Sequence, residues 1–181
     1  MLLARLGEAP RTKSAKERCL RYLFRTQQPD GSWYGRWGTN YIYGTWSVLM
    51  ALQEQGVDRE HESVRRAVAW LRSVQRSDGG WGEGCDTYFE PARRGQAEHS
   101  TSFHTAWAVL GLLSGGEAES QSVKRGIEFL LETQQPDGFW RDPEFNAPGF
   151  PRVFYLKYHG YDKYFPLLAL ARYRNLTAGK N

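Results

Sequence analysis

A sequence pattern that occurs three times constrains the fold of this chain more than any other feature. Segments 18–33, 66–81 and 125–140 each begin with Arg, carry an aromatic residue four positions later and Gln nine positions later, and end on Trp two positions after an Asp-Gly pair. Self-similarity at such intervals is typical of repeat architectures, in which each unit covers the hydrophobic face of its neighbour. The chain is therefore expected to stack three similar units.

Two kinds of helix alternate along these units. The first half of a unit has apolar residues on one helical face, such as Val64 and Leu71, and charged residues on the other. The second halves at 44–53 and 103–114 contain no Asp, Glu, Lys or Arg, and 161–174 is charged only near its ends. Because a helix that is apolar on all sides is buried, charged helices should lie outside and apolar helices inside.

We therefore predict an all-α fold, a double layer of helical hairpins in which six helices form three hairpins. Closed toroids of this type have about twice as many hairpins, so the chain is predicted to form half of an (α/α)6 toroid. The long connections at 30–43, 79–102 and 138–160 hold most of the glycines, and loops of this length are usually functional. The predicted core residues are Val48, Leu49, Leu110, Leu113, Leu167 and Leu168.

The repeated Gln and Trp are predicted to be structural. Each Gln lies one turn before a helix end, where its amide can bond a carbonyl of its own helix and a backbone N–H of the next helix. Each Trp can cover the same junction while its indole N–H finds an acceptor. These residues are Gln27, Trp33, Gln75, Trp81, Gln134 and Trp140.

Composition argues against several other kinds of protein. The longest uncharged apolar stretches are too short to span a membrane. The two cysteines, Cys19 and Cys85, cannot form a disulfide framework, so a reducing compartment is expected. The net charge of +4 is small and the basic residues are spread along the chain, which argues against nucleic acid as a partner.

The three segments resemble the QW motifs of triterpene cyclases, and residues 16–174 resemble the C-terminal part of squalene–hopene cyclases. The stretches 35–46 and 149–161 also match signature regions of that family. The resemblance covers nearly all of this chain and only about the last quarter to third of the family's length. It implies that residues 1–181 form a single partial domain, a C-terminal segment of an α/α toroid.

The resemblance implies that a linear polyene, squalene or a relative, is cyclised through carbocations to hopanoid-type pentacyclic triterpenes, without a cofactor. Such a cavity must exclude water and stabilise positive charge without a nucleophile, and aromatic faces do both. Position by position, Tyr43 matches a tyrosine of the family's proton-supply network, and Phe150 and Phe154 match cation-stabilising rings. The residues that match substrate-binding positions are Trp37, Leu156, Tyr158 and Tyr161.

The spacing of these aromatic residues also predicts local structure. Residues 154, 158 and 161 share one helical face. Pro151 disfavours helix at Phe150. We therefore predict a turn that presents Phe150, followed by a short helix that presents Phe154, Tyr158 and Tyr161 in a row to one cavity.

The initiating acid of the family is absent from this chain. The family protonates its substrate with the central Asp of a DxDD motif, and no aspartates here have that spacing. In the family the motif lies upstream of this region, so its absence indicates truncation and a chain that is inactive alone. The expected partners are a polyene, the missing DxDD-bearing segment, a membrane surface on the cytoplasmic side and a second copy of the chain. The alternative is an inactive half-toroid that serves as a structural or interaction piece.

One stretch departs from the family pattern. The family usually has Thr-Pro-Ser-Gln-Thr-Ala-Trp, and residues 101–107 instead have Ser102 in place of Pro and His104 in place of Gln. A neutral imidazole can still donate and accept a hydrogen bond. We therefore expect His104 to replace a structural hydrogen bond of the amide.

Two other enzyme classes built on helical toroids have weaker support. Zinc prenyltransferases bind metal through Cys, His and Asp, but the available groups here match no standard zinc spacing, so no metal is expected. Toroids that cleave glycans need two carboxylates across an open cleft. The candidates for these two sites are Cys85, Asp86, His99 and His104 for zinc, and Glu83, Asp86 and Glu90 for glycan cleavage.

Overall fold

The computed structural model describes residues 10–178, and most of this range is helical. Two 3-10 turns, Cys85–Tyr88 and Pro91–Arg93, lie between the third and fourth helices. The sequence predicted an all-α fold, and the described residues are mostly helical, with one small β-hairpin that was not predicted. Within the described range the elements are α1 (Pro10–Thr26), α2 (Tyr41–Glu54), α3 (Glu62–Ser73), α4 (Ser102–Ser114), α5 (Gln121–Thr133), β1 (Ala147–Phe150), β2 (Phe154–Leu156) and α6 (Tyr161–Thr177).

Helix α4 is the centre of the structure. Every one of its residues is buried, and it packs most extensively against α2 and α6 and also against α3 and α5. Gly111 permits close approach to α2, because a Cβ at this position would come within 3.1 Å of the Cα of Trp46. The uncharged stretch at 103–114 thus forms a buried inner helix, while α3 and α5 bury one face each.

The predicted core is only partly correct. Leu49, Leu110 and Leu113 are buried, and Val48 is half-buried against them. Leu167 and Leu168 are 64% and 46% exposed, so their predicted burial is wrong. Helix α6 packs on α4, and nothing within residues 10–178 covers the side that carries these two leucines.

No helix in this described range is long and apolar enough to cross a bilayer.

The glutamines of the first two repeats join consecutive repeats. Gln27 Nε2 donates to the carbonyl of Gly31 in its own turn at 2.9 Å and to that of Ser63 in α3 at 2.8 Å. Gln75 makes the equivalent bonds to the carbonyls of Gly79 and Ser122, at 2.8 and 2.9 Å. The amide therefore reaches a carbonyl of the next helix, rather than the backbone N–H considered from the sequence.

The repeated tryptophans cover the same junctions. Trp33, Trp81 and Trp140 are buried, and each indole N–H donates to the carbonyl ten residues earlier at 2.7–2.8 Å. The backbone N–H groups of Trp33 and Trp81 also donate to Thr45 and Thr105 in the inner helices, both at 3.0 Å. These bonds fix the point at which each long loop leaves its outer helix.

The short helix predicted after Phe150 is wrong. Residues 154–156 form β2, which pairs antiparallel with β1, and Arg152 in the turn has a φ of 67°. Gly149 is required here because a Cβ would lie 1.9 Å from the ring of Phe154. The Phe154 ring therefore packs directly on the backbone of β1, an arrangement that a spacing of four residues does not reveal.

Candidate active-site wall

Five aromatic residues on α2, α4 and α6 form a contiguous group that we call the aromatic cluster: Tyr43, Trp46, Trp107, Tyr161 and Phe165. The ring of Trp107 lies at its centre and meets Tyr43, Phe165 and Tyr161 edge-on, with centroid separations of 5.1, 5.4 and 5.8 Å. Trp46 contacts Phe165 at 5.6 Å and Tyr43 at 6.1 Å. Edge-to-face pairs of this kind add about 0.5–1.5 kcal/mol each to the burial of their area.

The aromatic cluster contains polar groups but no charged side chain. The indole N–H groups of Trp46 and Trp107 are buried and have no hydrogen-bond partner among residues 10–178. Burial raises the pKa of the Tyr43 and Tyr161 phenols, so both phenols are neutral at physiological pH. The cluster thus presents ring faces and no anionic group, which suits the stabilisation of a cation without capture by a nucleophile.

The ring positions carried over from the sequence fall into separate groups. Tyr158 lies 5.1 Å from Tyr161 and extends the aromatic cluster towards solvent. Phe150 and Phe154 contact each other at 5.9 Å across the hairpin, and both are about half exposed. No ring contact within the described range joins this phenylalanine pair to the cluster, and residues 154–156 form a strand in place of the helix that was predicted to present the rings in one row.

A cleft of about 410 Å³ adjoins the aromatic cluster. Trp37, Tyr34 and Tyr43 line it, so that Tyr43 belongs to both the cleft and the cluster. Trp37 is 52% exposed, and the guanidinium of Arg36 lies 4.9 Å from its ring centroid. Leu156 lies in β2 and is half-buried.

Buried polar groups hold the backbone that carries these aromatic residues. Glu83 Oε2 accepts hydrogen bonds from the N–H groups of Asn40 at 3.2 Å and Ile42 at 2.8 Å, at the start of α2. A carboxylate is favourable at a helix N-terminus because of the helix dipole. Burial raises the pKa of Glu83, and the backbone hydrogen bonds oppose that shift. Tyr88 donates its hydroxyl to the carbonyl of Gly38 at 2.8 Å and so braces the same loop.

Sequence reasoning did not assign several contributors to this site. Trp46, Trp107 and Phe165 lie in stretches predicted to be core helices, where an aromatic residue is expected for packing alone. Glu83 lies in a loop that has no periodicity to indicate which side chain is buried. The glycines on either side of Glu83 were the one available signal, since paired glycines often mark a close backbone approach.

The groups proposed for the rival enzyme classes have other partners. Within residues 10–178, no three or more His, Cys, Asp or Glu side chains are grouped so as to hold a metal ion. Cys85 Sγ lies 3.6 Å from Thr39 Oγ1. Of the carboxylates considered for glycan cleavage, Glu83 bonds the start of α2, and Asp86 pairs with Arg93 at 2.5 Å.

The fold is that of type II terpene cyclases. The apo structure of the type II terpene cyclase MstE from Scytonema superposes with a TM-score of 0.64 over 92% of this chain and 53% of that chain. The two sequences are 22% identical over this region, so the likeness concerns the fold.

The family described as squalene-hopene cyclase C-terminal domain matches residues 1–175, and the chain belongs to this family. It is 51% identical over 175 residues to a squalene–hopene cyclase of Bradyrhizobium diazoefficiens. The aligned region covers 97% of this chain and 26% of that protein. It is 54% identical over 175 residues to a squalene-hopene cyclase of Schizosaccharomyces japonicus, with the same coverage. The chain thus spans about a quarter of the length of these curated relatives.

Proposed function

We propose that this chain forms the C-terminal wall of the reaction cavity in a squalene–hopene cyclase-type enzyme. Squalene or a related linear polyene would be cyclised there through carbocations to hopanoid-type pentacyclic triterpenes. The observation that carries this proposal is the aromatic cluster around Trp107. A ring face attracts a desolvated cation by about 0.5–2 kcal/mol, and the cluster contains no anionic group that would capture it.

The individual roles follow from what each side chain presents. Tyr43 keeps its proton and lies between cleft and cluster, which supports a role in the proton-supply network. Phe150 and Phe154 present ring faces that suit cation stabilisation once other parts of the enzyme enclose them. Binding of the substrate is proposed for Trp37, Leu156, Tyr158 and Tyr161.

The proposal includes a larger assembly. Residues 1–181 form one partial domain, half of an (α/α)6 toroid, and a DxDD-bearing segment completes it. The exposed side of α6, which carries Tyr164, Leu167 and Leu168, supports this because apolar patches of that kind mark contact surfaces. A membrane surface on the cytoplasmic side and a second copy of the chain are further proposed partners.

A second candidate function is an inactive structural half-toroid. The lack of DxDD spacing favours it, because a weakly basic alkene is not protonated without a strong acid. In this case the chain would bind its partner segment and contribute no ring to the chemistry.

Complementation distinguishes the two functions. The chain would be co-expressed with the DxDD-bearing remainder of the Bradyrhizobium relative, and the conversion of squalene followed by gas chromatography with mass detection. We expect pentacyclic product only when both pieces are present, and none when the central Asp of the partner's DxDD is changed to Asn. A stable complex without conversion, under conditions where the relative's own C-terminal piece restores activity, would leave only the structural role.

A further inference from the structure

The backbone N–H and carbonyl of Thr39 are both hydrogen-bonded to distant parts of the chain. Its carbonyl accepts a hydrogen bond from His104 Nε2 in α4 at 2.7 Å. Its N–H donates to the carbonyl of Asn146, just before the hairpin, at 3.1 Å. Thr39 itself lies two residues after Trp37 and four before Tyr43, so its position sets the position of both.

These bonds fix the tautomer of His104. A carbonyl can only accept, so Nε2 carries the proton, and Nδ1 must then accept the hydroxyl proton of Thr101, 2.8 Å away. The imidazole is fully buried. The groups packed around it are the rings of Phe103 and Trp107, the Thr101 hydroxyl and the Thr39 carbonyl, and none of them carries a charge.

Asn146 continues the connection to the segment that carries Tyr158. Its side chain donates to the carbonyl of Tyr158 at 3.1 Å and accepts from the N–H of Tyr158 at 2.8 Å. Its backbone N–H donates to the carbonyl of Leu156 at 3.1 Å. A continuous path of hydrogen bonds thus runs from His104 through Thr39 and Asn146 to the backbone of Tyr158.

We propose that His104 is a positioning residue, which sets the register between the loop that carries Trp37 and the segment that carries Tyr158. This inference rests on the proposed function for the idea that both segments wall one cavity. Without the Nε2 donor, the buried carbonyl of Thr39 loses its partner, which is costly in a site that water does not reach. The loop would then move to find another donor, and Trp37 and Tyr43 would move with it.

Two amide substitutions separate positioning from packing. His104→Gln places an amide N–H where Nε2 lies, so it can restore the bond to Thr39. His104→Asn is shorter and places its polar atoms near Nδ1, so it keeps the contact to Thr101 and loses Thr39. Leu110→Ala is the matched control, because it removes a buried side chain of the same helix and leaves both hydrogen bonds of the imidazole intact.

The first measurement is amide hydrogen exchange on the full chain, which requires no activity. His104→Asn should speed exchange at least tenfold in residues 38–42 and 146–158, while His104→Gln should exchange like the wild type there. Leu110→Ala should lower protection across the core without singling out these segments. If His104→Asn exchanges like the wild type in these segments, or if His104→Gln fails to restore protection, the positioning role is refuted.

The second measurement uses the complemented cyclase. His104→Asn should at least double the share of partly cyclised products, and neither His104→Gln nor Leu110→Ala should change it. An unchanged product ratio for His104→Asn would overturn the effect on the cavity. If the exchange pattern is as expected but the wild-type complex converts no polyene, then the proposed function fails and the register between the two segments stands.

Discussion

Replacing His104 with Gln should make the folded chain more tolerant of acid. Burial lowers the pKa of His104 from its usual value of 6.5 to about 3, although the hydrogen bond to Thr39 opposes the shift. Below pH 6.5 the unfolded chain therefore binds a proton at this residue that the folded chain does not bind until pH falls to about 3. Unfolding is favoured progressively as the pH drops through this window.

The size of the effect follows from the two pKa values. Between pH 7 and pH 5 the wild type should lose about 2 kcal/mol of its free energy of unfolding through His104 alone. For a chain of this size that corresponds to about 4–8 °C in Tm. Gln has no proton to gain, so His104→Gln should lack this component while keeping the hydrogen bond to Thr39.

Thermal unfolding followed by circular dichroism at pH 7 and pH 5 measures the difference. Burial also raises the pKa of Glu83 and Asp142, but these groups titrate equally in both proteins and cancel in the comparison. The matched control is His99→Gln, because it makes the same substitution at a side chain that is 69% exposed. If His104→Gln loses as much stability as the wild type between these two pH values, the buried neutral imidazole is refuted.

Phe154→Ala in the complemented cyclase should slow turnover about tenfold and release partly cyclised products, because one ring supplies about 1–2 kcal/mol to a desolvated cation. The products would be measured by gas chromatography. An unchanged product ratio together with a lowered Tm would instead assign Phe154 to packing. Gln75→Ala should lower the free energy of unfolding in urea by about 1–3 kcal/mol, since two hydrogen bonds are lost. Gln134 makes one such bond in an exposed position, so Gln134→Ala should cost less than half as much, and equal losses would contradict the clamp. The wild-type chain should associate with itself and bind a hydrophobic dye. Replacing both Leu167 and Leu168 with Lys should weaken the association and the dye binding without lowering Tm. A wild-type chain that is a monodisperse monomer in analytical ultracentrifugation and binds no dye would contradict this.

The helices could be predicted from the sequence because burial imposes a period on it. The uncharged stretch at 103–114 has no face suited to water, and it became the fully buried α4. The same reasoning failed at Leu167 and Leu168. An apolar side chain indicates that it packs against other apolar groups, but it does not show whether those groups belong to the same chain. The hairpin was missed for a different reason. The ring of Phe154 packs on the backbone of Gly149, which has no side chain, and the spacing of apolar residues does not reveal such a contact.

The candidate site was predictable only in part. Aromatic residues such as Trp37 and Tyr43 could be matched to positions of the family because they lie in the stretch 35–46, which resembles one of its signature regions. The groups that hold these stretches, Glu83 and Asn146, act through pairs of side-chain hydrogen bonds to backbone groups of other segments. Such bonds depend on the tertiary structure, so a polar residue in a loop gives no sign of them in the sequence.

The direction of the glutamine bonds has a consequence for how the chain unfolds. Gln27 and Gln75 reach forward from their own turns into the next outer helix, and Arg66 and Arg125 reach back to the carbonyls of the preceding turn. Each junction is therefore held by both of its neighbours, as in a one-dimensional lattice with nearest-neighbour coupling. Helix α3 is coupled on both sides, while α1 and α5 are coupled in this way on one side within the described range. Among the outer helices, local opening should accordingly begin in α1 and α5 and reach α3 last.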